Sequence, residues 1–140
     1  MEELKKAHSL TISALKTLKE SFDIAQLAEK EKREGFILAA KDSMIQRFEY
    51  SYDSFWKLLK RYLEQEIQLE DITSPKKVFR ACVKHGICTQ NEGDILIQMA
   101  DDRNTTSHNY NIQQVRIIIP DIPTYYTTMI HIIDKLKLKS

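Results

Sequence analysis

Phe36-Ile37-Leu38-Ala39-Ala40-Lys41-Asp42-Ser43-Met44-Ile45-Gln46-Arg47-Phe48-Glu49-Tyr50-Ser51-Tyr52-Asp53-Ser54-Phe55-Trp56-Lys57-Leu58-Leu59-Lys60-Arg61-Tyr62-Leu63 decides the fold class. Ile37, Ala40, Met44, Phe48, Ser51, Phe55, Leu58 and Tyr62 recur at steps of three and four, which places them on one side of a helix. Ile45, Tyr52, Trp56, Leu59 and Leu63 form an adjoining stripe, so this helix must touch more than one neighbour. Such an arc suits the central helix of an antiparallel bundle, and equally a helix shared between a core and a dimer interface. The aromatics Phe48, Tyr50, Tyr52, Phe55 and Trp56 could form a base-stacking platform. Their helical spacing favours core packing.

Outward from this helix the same period continues. Leu4, His8, Thr11, Leu15, Leu18, Phe22 and Ala25 line one face of a preceding helix, with His8 half-buried, and Glu29 to Gly35 is a polar run that reads as a solvated helix end and loop. Downstream, Ser74 is an N-cap with Pro75 at the first helical position, and Gly86 is placed to end that short helix in the left-handed conformation. Thr89 and Glu92 have capping-box spacing for a fourth helix, whose buried face includes Ile95, Leu96 and Met99. Val115, Ile118, Ile122, Tyr126, Met129, Ile133 and Leu136 continue at helical steps, with a break expected near Ile119 because Pro120 and Pro123 interrupt them. Arg116 to Ile119 has strand propensity, but no partner strand exists elsewhere. The expected fold is all-α, an antiparallel up-and-down bundle of four to five helices that self-associates through the wide apolar arc of the second.

Composition agrees. The chain of 140 residues is 42% hydrophobic and 29% charged, with three Gly and three Pro, which suits one helical domain over 1–140. Its 21 basic and 20 acidic residues leave a net charge of +1, so nothing suggests a basic surface that wraps nucleic acid and any RNA contact must be local. The charged amino terminus lacks the apolar region of a signal peptide and no window has the length of a membrane span, which predicts a cytoplasmic protein without a membrane partner. Cys82 and Cys88 form no metal-binding pattern and read as buried reduced thiols; no cofactor or metal is expected.

Candidate chemistry concentrates in Asp101-Asp102-Arg103-Asn104-Thr105-Thr106-Ser107-His108-Asn109-Tyr110. Arg103 offers a permanent forked cation suited to phosphate, His108 a side chain that exchanges a proton near neutral pH, and Tyr110 a phenol. The short polar residues 104–107 compete with the helical backbone, so the fourth helix is expected to weaken there. In an unbroken helix Arg103 and His108 would lie about 140° apart, too far to meet at one phosphate. Either the helix ends before His108, or the two converge from different subunits.

This stretch resembles the Arg-x4-His-x-Tyr signature of the HEPN superfamily, with Asn104 as the polar residue after the arginine. Ile45-Gln46-Arg47-Phe48-Glu49-Tyr50 with Phe55-Trp56-Lys57-Leu58-Leu59-Lys60, and Ser74-Pro75-Lys76-Lys77 leading to Gly86-Ile87, resemble the second and third helices of its branch known as nucleotidyltransferase substrate-binding proteins. The likeness runs from about Ala39 to Tyr126. It implies a toxin that is a metal-independent endoribonuclease, with Arg103 and His108 catalytic and Asp102, Asn104 and Ser107 supporting, Asp102 by orienting Arg103. It also implies an active site built from both chains of a homodimer within a hetero-oligomer, RNA as substrate, and a minimal nucleotidyltransferase (MNT) antitoxin that adds AMP to Tyr110. The alternative implied by the branch's name is a non-catalytic subunit that presents substrate to the transferase; a third, purely structural reading remains. The chain lacks the transferase's own nucleotide-binding motifs.

Overall fold

The computed structural model describes residues 2–108 and 112–136, excepting the side chains of His108 and Ile112. Two helices of 29 residues, α1 (Glu2–Lys30) and α2 (Glu34–Tyr62), form an antiparallel hairpin. At 1.5 Å per residue each is about 43 Å long. Lys32, at φ 57°, turns the chain between them, and the Arg61–Glu3 and Lys41–Glu29 ion pairs, at 2.9 and 3.5 Å, join the two ends of the hairpin. The carboxyl end of α2 runs into one π turn, Leu63–Ile67, which stops at Gln68 in the left-handed conformation.

α3 (Pro75–Lys84) starts where Ser74 accepts the Lys77 N–H at 3.3 Å, and Gly86 follows it at φ 74°. α4 (Gln90–His108) opens on a reciprocal box: the Glu92 N–H donates to the Thr89 hydroxyl at 3.1 Å, and the Thr89 N–H to the Glu92 carboxylate at 2.9 Å. The break near Ile119 is present. α5 (Ile112–Arg116) gives way to a 3-10 turn, Ile119–Asp121, and then to α6 (Ile122–Lys135), with Pro120 and Pro123 each at an element's start, where no amide proton is needed.

Both stripes of α2 are covered within the chain. Phe48, Phe55, Leu58, Leu59 and Leu63 are fully buried, Tyr52 nearly so, and Trp56 is half-buried. Phe48 stacks on Tyr125 at 5.7 Å between centroids, and Phe79 meets Phe55 at 6.1 Å and Tyr52 at 6.2 Å, which ties α2 to α6 and α3. The two apolar stripes are therefore covered by α1, α3, α4 and α6, while Phe36 and Leu38 at the start of α2 stay exposed. Of the aromatic run, Tyr50 alone is exposed, at 58%. Cys82 and Cys88 are buried free thiols, pushed up by burial, Cys88 to about 11.

Two expectations fail. α4 does not weaken at 104–107: Thr105, Thr106 and Ser107 donate to the carbonyls of Asp101 and Arg103 one turn earlier, so their hydroxyls are absorbed without opening the helix. In the last segment Ile118, Ile122, Met129 and Ile133 are buried as expected, but Tyr125, three residues after Ile122, enters the core more deeply than Tyr126, four after it. Tyr126 is half-buried, edge-on to Phe22 at 5.5 Å.

The α4 cap also anchors α6. Glu92 lies 2.5 Å from His131 Nδ1 and accepts Lys135 at 3.3 Å. Burial pushes its carboxyl up, but the Thr89 N–H, His131 and Lys135 outweigh that and hold it at about 2, below its ordinary 4.5. A depressed carboxyl stabilises the fold above its unfolded pKa and ceases to as pH falls through the folded value. Unfolding free energy should thus fall between pH 4.5 and 2 by an increment on the order of 2 kcal/mol that Glu92→Gln lacks, read by urea melts at each pH.

Candidate functional site

α2 carries Asp42, Glu49 and Asp53 at steps of seven and four, one stripe along the helix. Two arginines dock on it. Arg116 of α5 forks onto Asp42, with Nη2 at 2.9 and 3.1 Å from the two oxygens and Nε at 3.1 Å. Arg103 of α4 donates from Nη1 to Glu49 at 2.6 Å and approaches Asp53 from Nη2 at 3.4 Å. Nη1 also reaches the Thr106 hydroxyl at 3.2 Å and the Ser107 hydroxyl, while Thr106 lies 3.0 Å from Glu49.

The guanidinium is thus held from two helices. Its Nη1 is saturated; among the described residues its buried Nε has no partner and its Nη2 has the 3.4 Å contact alone. With its side chain 19% exposed, Arg103 keeps one fixed orientation, and an incoming anion must approach Nη2 or displace Asp53.

Asp102 does not orient Arg103. Its carboxylate accepts the Tyr125 hydroxyl, which roots α4 in α6. Burial raises the Asp102 carboxyl; the Tyr125 bond opposes this, and Asp121 and Asp101 add to it. Burial and Asp102 together also push the Tyr125 phenol up, so both groups act as a structural hydrogen bond. Asp101 pairs with Lys76 of α3 at 2.5 Å, and Asn104 is exposed on α4. His108 is the final residue of α4, its side chain outside the description; Tyr110 lies outside the described residues. Since α4 is unbroken, the helical register separates Arg103 and His108 by about 140°. Glu49, Asp53, Thr106 and Tyr125 were not anticipated as partners. The signal for the first two was present, since acidic residues seven and eleven after Asp42 share its face of α2.

The family model for nucleotidyltransferase substrate binding protein-like chains matches residues 9–138. The chain belongs to this family. A Thermus thermophilus protein of known crystal structure is similar at 33% identity and a TM-score of 0.75, over 91% of this chain and 99% of that one. A tri-AMPylated Shewanella oneidensis HEPN toxin in complex with MNT antitoxin superposes at a TM-score of 0.73 over 94% of each chain, with 15% identity. A toxin–antitoxin structure with AMP-PNP superposes at 0.66 over 91% of this chain and 98% of that one, at 18% identity. The last two likenesses concern the fold. None of the curated proteins matches the chain. Among the described residues no helix is long and apolar enough to cross a membrane.

If the clamp sets the position of α4 against α2, a double-mutant cycle of Arg103→Ala and Glu49→Ala should give a coupling of about 1–3 kcal/mol in urea unfolding. A coupling near zero would mean that the contact is incidental.

Proposed function

We propose that this HEPN family member is the toxin of a two-component system, a metal-independent endoribonuclease that an MNT antitoxin silences by adding AMP to Tyr110. The observation that carries this reading is the fixed Arg103 guanidinium, held by Glu49 and Asp53 on a helix that ends at His108. Histidine can take the proton of a ribose 2′-OH or return one to the departing 5′-oxygen, while arginine steadies the charge on the phosphate between them.

The angle between Arg103 and His108 favours a site completed by a second copy, with the arginine of one chain and the histidine of the other on one phosphate. Ser107 then supports Arg103 through its hydroxyl. Asn104, exposed on the same helix, would serve as a further hydrogen-bonding group. Tyr110, two residues past His108, is near enough in the chain for attached AMP to bring charge and bulk into the RNA path. The AMPylated state of the Shewanella toxin in its antitoxin complex supports this part of the reading.

A second reading, a non-catalytic subunit that presents substrate to the transferase, is favoured by one observation. Two carboxylates within 3.4 Å of a single guanidinium leave its immediate surroundings net negative, which suits a structural arginine better than a free phosphate clamp.

Arg103→Ala and His108→Ala should each abolish RNA cleavage and growth inhibition while leaving the helical circular-dichroism spectrum unchanged. Cleavage that persists in either folded variant refutes the nuclease assignment, and a wild-type chain that binds RNA without cutting it selects the subunit reading. Incubated with a cognate MNT, ATP and magnesium, the native chain should gain AMP masses that Tyr110→Phe does not. Equal labelling of both chains excludes Tyr110 as the acceptor.

A further inference from the structure

α2 presents a second stripe about 90° round from the carboxylates that hold Arg103. Tyr50, Ser54, Lys57 and Arg61 follow one another at steps of four, three and four, and so share one face. α2 is bound to α4 on one flank, through Glu49 and Asp53, and to α1 on the other, where Arg61 pairs with Glu3. Apart from Arg61, which makes the second contact, this stripe lies between the two. Its lower part faces α1 across a groove of about 460 Å³ whose lining includes Lys6 and Leu10.

The groove's charge differs from that of the Arg103 clamp beside it. Three cations, Lys6, Lys57 and Arg61, stand against one carboxylate, Glu3, on a chain whose overall balance is only +1. One helical turn before Ser54 of the groove's lining, Tyr50 leaves 58% of its surface open, and its hydroxyl accepts the Gln46 amide at 3.2 Å, which steadies the ring on the helix surface. The neighbouring aromatics Phe48, Tyr52 and Phe55 are all turned inward, so Tyr50 is an outward aromatic beside a basic channel and adjacent in sequence to Glu49, which grips Arg103.

We infer that this groove is the path of a single RNA strand leaving the Arg103 site, with one base stacked on Tyr50 and the following phosphates against Lys57 and Lys6. An exposed aromatic followed by cations is the arrangement that single-stranded nucleic acid recognises, the ring taking any base face and the lysines the backbone. It also compensates for the clamp: a guanidinium flanked by two carboxylates attracts a polyanion weakly, so affinity must come from alongside. Double-stranded RNA, whose bases are stacked and covered, has no use for Tyr50. This inference rests on the nuclease reading for its choice of ligand, but it is tested by binding alone.

The probe is a fluorescein-labelled 2′-O-methyl oligoribonucleotide of about ten nucleotides, which has no free 2′-OH to cleave, titrated into the full chain and followed by anisotropy. Tyr50→Ala should weaken binding about five- to a hundred-fold, while Tyr50→Phe, which keeps the ring, stays near wild type. Lys57→Ala should lower the slope of log affinity against log salt by about one, and a duplex of the same sequence should bind Tyr50→Ala and wild type alike. Wild-type binding that Tyr50→Ala leaves unchanged overturns the inference and spares the nuclease reading. Loss of binding in Tyr50→Ala together with dissociation of a dimer, read by light scattering, also overturns it, since a second copy would then cover the groove. A wild-type chain that neither binds nor cuts RNA fails both.

Discussion

Arg103 lies where α4 crosses α2, and the rest of the candidate site takes its position from how that one cation is held. Exposed ion pairs contribute little, because water screens them and long side chains must be immobilised to form them. Here the guanidinium is 19% exposed, and its oxygen partners come from Glu49, Asp53, Thr106 and Ser107, so the hydrogen bonds are directional and partly shielded. Arg116 repeats the arrangement one step along, on Asp42. The two arginines lie on either side of residues 109–111 in the chain, and both are gripped by one acidic stripe of α2. Helix α2 is therefore the common reference for the stretch that carries the candidate chemistry.

That reference is held because α2 packs against α1, α3, α4 and α6. Phe48, Phe55 and Phe79 hold its buried face, while α4 is pinned at both ends, by the Thr89–Glu92 box with His131 and Lys135 at its start and by Asp102 on Tyr125 nearer its end. Tyr125 links the two layers, stacked on Phe48 of α2 and bonded to Asp102 beside Arg103. Removal of that phenol would loosen core and site together. The polar and apolar contacts are joined at this residue.

Much of the local structure was legible. Ser74, Pro75, Gly86, Thr89 and Glu92 each act through their own backbone neighbours, and each does what its residue type dictates. The break at Pro120 follows from a missing amide proton. The failures were those where a local preference met a longer-range or competing contact. Thr105, Thr106 and Ser107 prefer turns in isolation, yet their hydroxyls found carbonyls one turn back and, for two of them, the Arg103 guanidinium, so the helix ran on. Asp102 next to Arg103 suggested a pair, but adjacent residues on a helix point about 100° apart, and Asp102 turns to α6 instead.

Sequence by itself determined the helices, their caps and breaks, and the inward face of α2, because periodicity and capping are one-dimensional properties of neighbouring residues. It also carries the Arg-x4-His-x-Tyr pattern, within the residues 9–138 that the family model matches. Tertiary structure alone decided which carboxylates meet which arginines and that Tyr125 rather than Tyr126 enters the core. It decided too that Tyr50 is left outside, in the gap between α1 and α4. Those outcomes depend on the angle at which helices 50 or more residues apart in the chain come to rest, as in the Arg103–Asp53 contact. That angle is set by the summed packing of the whole core, which no local pattern encodes.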